Sequence, residues 1–376
     1  MGGCSASGRC GQVLLACLVV SLLLCCGCPF VPATSDPNDP LDSNSSIDTG
    51  DNSSLRTATA LTLNSTGQLS FTGVIDSRND IDVYSLGTLS RGDRIYVDVQ
   101  RLNGDLDALA AIFDSREYLI AWNDDRTPDG SVLDPQLDFT LAGDTDTYYL
   151  AIIAYPGDAS YGQYLVEIQI TRAAGAPTPY QQIVYLNWAG GDRVVVRNVG
   201  VYNLPPFSAI DVGFSSSRTA ALKQRVQEVV EQRYAEYDLL VLNSDDDPVP
   251  SVAYSTVYFG GADYQAFAIS EQIDAYNEDH GDDAIIFTQS FQGAFAQPPT
   301  FEEMAQALGN TVAHEVGHLL GLVHTADCDD LMDTTCFNDR LLSPQEFSTA
   351  PLDTSVFPFG YQSATELLSW VLGLAD

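Results

Sequence analysis

The sequence predicts two domains in series: an all-β antiparallel sandwich, then an α/β domain organised round one long helix. Three observations carry this. Residues 55–172 hold short alternating runs broken at Gly, Asn and Asp, with no long helical period. From 182 onward a strand, a long helix, further strands and a second long helix follow one another. Between the two stretches, AAGAPTP at 173–179 has the composition of a linker. The chain therefore divides into a signal at 1–27, a tether at 28–54, a sandwich at 55–172, a linker at 173–181 and a second domain at 182–376.

The bulk properties allow this. A chain of 376 residues has room for two domains, and 45% hydrophobic content is ample for two cores. Net charge is −35, from 51 acidic and 16 basic residues, which argues against nucleic acid and against electrostatic docking on anionic lipid. It leaves two readings: a highly solvated surface, placed first, and calcium sites, since hard cations want clustered carboxylates.

At the N-terminus, Arg9 precedes the apolar run Val13 to Leu24 and then CCGCP. A basic start, a short apolar centre and a small-residue end form an export signal too short for a transmembrane helix. The end looks like a bacterial lipoprotein processing site, with Cys28 as the lipidated residue; Cys25 stands where Leu is usual. The other reading is plain secretion after cleavage. The tether that follows is Pro, Asp, Asn and Ser with almost nothing to bury.

In the first domain the runs 80–86, 94–100, 106–114, 137–141, 147–153 and 164–170 read as strands, separated by breaks such as Asn103-Gly104 and Gly157-Asp158. The phrases NDIDVYSL, GDLDALAAIFD and AGDTDTYYLAI resemble the bacterial pre-peptidase C-terminal domain, a small β-sandwich attached to secreted peptidases. That domain usually follows its protease; here it comes first, so adhesion, substrate holding or shielding of a cleft are all open. The acidic loop at 123–129 reads as solvated, with calcium as the alternative.

The second domain opens with a strand at 182–188 and a helix at about 218–237. Strands follow at 238–242, 252–260 and 282–291, and an amphipathic helix at 364–375 closes the fold. The central helix starts sharply. Pro298-Pro299 bars an earlier start, Thr300 is the N-cap, and Glu303 completes a capping box. Phe301, Met304, Ala305, Leu308, Val312, Val316 and Leu319 form its core stripe, while Gly309 and Gly317 mark close packing against neighbours.

Off that stripe lies HEVGHLLGLVH at 314–324, with three of the chain's four histidines. His314 and His318 are one turn apart, so both imidazoles leave one face and can grip one ion. Gly321 can take φ > 0 and end the helix, bringing His324 back as a third ligand. Three neutral imidazoles with a fourth place open describe a catalytic zinc site, and Glu315 lies where it can reach a water beside the metal. The fourth histidine, His280 in NEDHGDD, reads as a solvated loop residue, with a second cation site as the lesser alternative.

The pattern HExxHxxGxxH followed by Met332, eight residues past His324, resembles the metzincin zinc peptidases. The short spacing to the methionine is similar to the matrixin and adamalysin branches. Thr334 stands where astacins and serralysins carry a zinc-directed Tyr. The resemblance implies a zincin-type α/β fold, an endopeptidase with zinc on His314, His318 and His324, and Met332 in a tight turn beneath them. It also implies that Pro, Phe and Tyr in 341–361 wall the pocket for the residue after the scissile bond, with ordinary packing as the other reading. Cys328 and Cys336 bracket Met332, and in an exported protein they read as a small disulfide clip; reduced thiols or extra metal ligands are the alternatives.

The function expected is metal-assisted hydrolysis of protein or peptide substrates outside the cytoplasm, with Glu315 as general base. One strand near the zinc helix should be an edge that pairs with extended substrate. The rival is a cell-surface binding protein whose zinc domain turns nothing over.

Overall fold

The computed structural model describes residues 52–127, 130–197, 199–334 and 336–375. The signal at 1–27, Cys28 and most of the tether lie outside them. No helix among the described residues is long and apolar enough to cross a membrane.

The first part is a β-sandwich. Its strands are β1 (Thr59–Ala60), β2 (Gln68–Ile75), β3 (Ile81–Leu89), β4 (Arg94–Arg101), β5 (Ala108–Phe113), β6 (Leu119–Asn123), β7 (Gln136–Thr140), β8 (Asp146–Ala154) and β9 (Gly162–Thr171). One sheet runs β1-β3-β8-β5-β6 and the other β2-β9-β4-β7. All pairings are antiparallel except β1 with β3. Strand β9 shows strict alternation of buried and outward residues, so Tyr164, Val166, Ile168 and Ile170 enter the core between the sheets. By contrast β5 is buried on both faces. Ala108, Ala110 and Ile112 face the sandwich core, while Leu109, Ala111 and Phe113 face the C-terminal part of the chain.

The second part contains β10 (Gln182–Asn187), β11 (Gly191–Val196), β12 (Gly200–Leu204), α1 (Thr219–Arg233), β13 (Leu239–Asn243), β14 (Ser255–Phe259), β15 (Ala268–Ser270), β16 (Asp283–Ile286) and α2 (Phe301–Leu319). Then come β17 (Thr349–Pro351), β18 (Tyr361–Ser363) and α3 (Ala364–Val371). A five-stranded sheet runs β13-β10-β14-β16-β15; the first four strands are parallel and β15 lies antiparallel at the edge. Helices α1 and α2 cover one face over Val184, Leu186, Val257 and Ile286. The β11–β12 hairpin covers Ile285 and Phe287 on the other. Burial on both faces explains why β16 reads as an unbroken apolar run.

The expected helix to Tyr237 ends at Arg233. Tyr234 leaves the helical conformation, is buried, and donates its hydroxyl to the Ala313 carbonyl at 2.8 Å, which anchors the α1 terminus to α2. The α2 capping box is present: Glu303 N–H donates to Thr300 Oγ1 at 3.3 Å, and Thr300 N–H to Glu303 Oε2 at 2.7 Å. Both helix glycines are close approaches. A Cβ on Gly309 would sit 2.5 Å from Val229 of α1, and one on Gly317 2.6 Å from Met332 Sδ.

Candidate metal centre

The end of α2 builds the site. Gly321 has φ +94°, its N–H donates to His318 O at 2.9 Å, and Leu322 N–H donates to Gly317 O at 2.9 Å. This is a Schellman closure, and a Cβ at 321 would press on the Asp274 carbonyl at 2.9 Å. The turn does a second job. Leu322 O accepts from Nδ1 of His318 at 2.8 Å, while Leu331 O accepts from Nδ1 of His314 at 2.8 Å. With Nδ1 carrying the proton, each Nε2 presents a lone pair.

Those lone pairs meet. Nε2 of His318 lies 3.1 Å from Nε2 of His314 and 3.2 Å from Nε2 of His324. Two nitrogens at about 2.05 Å from a tetrahedral zinc stand about 3.3 Å apart, so the set fits that ion. Burial holds all three rings below the usual imidazole range, and the rings oppose one another's charging; His324 is pulled down to about 3. Both effects favour the neutral form, the one that ligates.

Glu315 leaves the helix beside this cluster and is 7% exposed. Burial pushes its carboxyl up to about 8, against hydrogen bonds from the Ser270 hydroxyl and N–H that pull it down. Ser270 ends β15, so the edge strand and the helix meet at this carboxyl. The cleft is lined by Phe267 and Ala268 at β15 and by Leu331, Thr334 and Leu341 from the segment after the histidines. Among the described residues, none that lines it comes from the sandwich.

Met332 is fully buried, against α2 at the space left by Gly317. Its turn is clipped by the disulfide Cys328–Cys336, Cα–Cα 5.6 Å, which leaves no thiolate there to ligate a metal. Sequence reasoning missed the group that holds the turn from within, Asp330, 1% exposed. Its Oδ1 accepts from Thr325 Oγ1 and Met332 N–H, each at 2.9 Å, and its Oδ2 from Ser348 N–H at 2.9 Å and Ser348 Oγ at 2.6 Å. Nothing marked it among the acidic residues around it. His280 stacks on Tyr180, ring centroids 3.8 Å apart. Among the described residues no metal-ligating group of three includes it.

No protein-family model and no curated protein matches the chain. Parts of it are similar to solved structures. One is the pre-peptidase C-terminal domain of a collagenase from Bacillus anthracis, at 17% identity and TM-score 0.23 over 30% of this chain and 94% of that one. Another is a zinc-dependent peptidase from Methanocorpusculum labreanum, at 14% identity and TM-score 0.27 over 44% and 95%. A third is archaemetzincin from Methanopyrus kandleri, at 11% identity and TM-score 0.26 over 45% and 89%.

Proposed function

We propose that the chain is an exported zinc-dependent endopeptidase of the metzincin type, held at the cell envelope through a lipid on Cys28. The observation that carries the reading is the convergence of three imidazole Nε2 atoms beside the buried carboxyl of Glu315, in a cleft bounded by an edge strand. His314, His318 and His324 would hold the ion. Zinc bound there supplies a Lewis acid for a scissile carbonyl and lowers the pKa of water toward neutrality. Glu315 takes the proton from the attacking water and passes it to the leaving amine. Strand β15 is the edge of its sheet, the place where an extended peptide would pair by backbone hydrogen bonds and take its direction across the site.

Incubation of zinc-loaded protein with a peptide library is expected to give discrete cuts that a zinc-chelating hydroxamate abolishes. Stoichiometric zinc with no cut in any peptide would instead favour a binding protein. The anchor has its own test: Cys28→Ala should move the protein from the membrane fraction to the soluble fraction, and retention of the variant with membranes would exclude the lipid.

A further inference from the structure

We propose that Gln362 is the positioning residue for His324, and that the β5–β6 turn of the sandwich sets Gln362. The inference rests on reading His324 as a zinc ligand. His314 and His318 are each oriented through Nδ1 by a backbone carbonyl. Among the described residues no hydrogen bond is made to Nδ1 of His324, and the Asp353 carboxylate acts on the ring through its charge, so the backbone carries much of the ring's placement. That backbone is clamped at the preceding residue. Val323 N–H donates to Gln362 Oε1 at 2.6 Å, and Gln362 Nε2 donates to Val323 O at 2.9 Å. Gln362 is 1% exposed, so this two-point bond is made without competition from solvent. On the other side Asp353 N–H donates to His324 O at 3.1 Å.

Gln362 belongs to β18, three residues whose ladder partner is the three-residue β17. A two-stranded ribbon this short has little stability of its own. The sandwich supplies the rest. Tyr361 N–H donates to Glu117 O at 2.9 Å, and Tyr118 bridges Tyr361. Gly360, at φ +96°, lies so close to Phe113 that a Cβ would stand 2.6 Å from its ring. Phe113 in turn packs against Phe357 and Phe359, centroids 5.1 and 5.0 Å away. Arg116 forks onto Glu366 of α3 at 2.7 and 2.8 Å. The turn that makes these contacts is itself rigid: Asp114, 2% exposed, accepts from Arg116 N–H and Tyr118 N–H, each at 2.9 Å, and from Arg116 Nε at 2.8 Å. The path from sandwich to metal ligand is thus Asp114, the 116–118 turn, Tyr361, Gln362, Val323, His324. The sandwich is part of the metal site's support.

The test measures zinc affinity of the full chain by competition with a chromogenic chelator, with no substrate present. Gln362→Met keeps length and removes both bonds to Val323. Zinc affinity should fall about tenfold or more, the range seen when supports of a ligand are lost, and exchange of the Val323 amide should speed up. Asp114→Ala, remote from the metal, should weaken zinc binding in the same direction by a smaller factor. It leaves the phenylalanine cluster and the Arg116–Glu366 pair to hold the fold, so it decides the matter if Gln362→Met does not fold. Native zinc affinity in a folded Gln362→Met protein, or in Asp114→Ala, overturns the proposal. A parent protein that binds zinc and cuts nothing overturns the peptidase reading and leaves this one standing. A parent protein that binds no zinc overturns both.

Discussion

Alanine in place of Glu315 is expected to slow peptide hydrolysis by about 10²–10⁴-fold, the usual worth of a positioned general acid–base, and to leave bound zinc at its native level. The two halves of the expectation have separate causes. Zinc content depends on the three imidazoles, whose Nε2 atoms already stand 3.1 and 3.2 Å apart without help from the carboxyl. The rate depends on a proton acceptor next to the reacting water. The other carboxylate lining the cleft, Asp333, is taken up with the methionine turn, where its Oδ2 accepts from Cys336 N–H at 2.9 Å. Among the described residues lining the cleft, loss of Glu315 leaves Asp333 as the one carboxylate, already bonded to the turn. Burial and the Ser270 donors act on the proton affinity of Glu315 in opposite directions. His324→Ala should lose zinc and cleavage together. The check is kcat/KM on a mapped peptide alongside metal analysis of the same preparation. A zinc-replete Glu315→Ala protein cutting at the native rate would remove Glu315 from the mechanism, and loss of zinc in that variant would make the carboxyl a ligand.

What the sequence disclosed about this site was what local chemistry writes down. The capping box, the core stripe of α2, the two helix glycines and the Gly321 exit are all set by residues within a turn or two of each other, and each was readable at its position. The six alternating runs of the sandwich were readable for the same reason. The unread parts are decided by partners far along the chain. In β2, Gly73 weakens the strand signal, yet it is required there because the hydroxyls of Tyr84 and Tyr164 occupy the space of a Cβ. Strand β15 has three residues, too few for a period of two, and its identity as the edge beside Glu315 comes from its antiparallel pairing with β16. Gln362 and Val323 are 39 positions apart, and nothing in either segment announces the other. Asp330 is one acid among several between Asp327 and Asp333; only its burial separates it from a solvated neighbour.

That burial makes Asp330 the position where a single substitution is expected to cost the most stability. Its two oxygens serve four donors from three segments: Thr325 just past the third histidine, Met332 in the turn, and Ser348 leading into β17. Asp330→Ala leaves all four without an acceptor in a site that water does not reach. Breaking a buried charged network of this kind costs about 3–5 kcal/mol. The loss should appear in denaturant unfolding as a lower midpoint with an unchanged slope. Asp330→Asn separates charge from connectivity, because an amide can still accept on one oxygen but turns its NH₂ toward either Ser348 or Thr325. If connectivity dominates, the asparagine variant should recover only part of the loss, and adding Ser348→Ala to it should cost less than Ser348→Ala costs in the parent. The charge also favours protonation of His314 from nearby, so removing it should not weaken that ring as a neutral ligand. Any fall in zinc affinity in Asp330→Ala must then come from loosening of Leu331 and Met332, the residues that orient His314 and fill the space at Gly317. An Asp330→Ala protein as stable as the parent would mean that the turn is held by the Cys328–Cys336 disulfide alone.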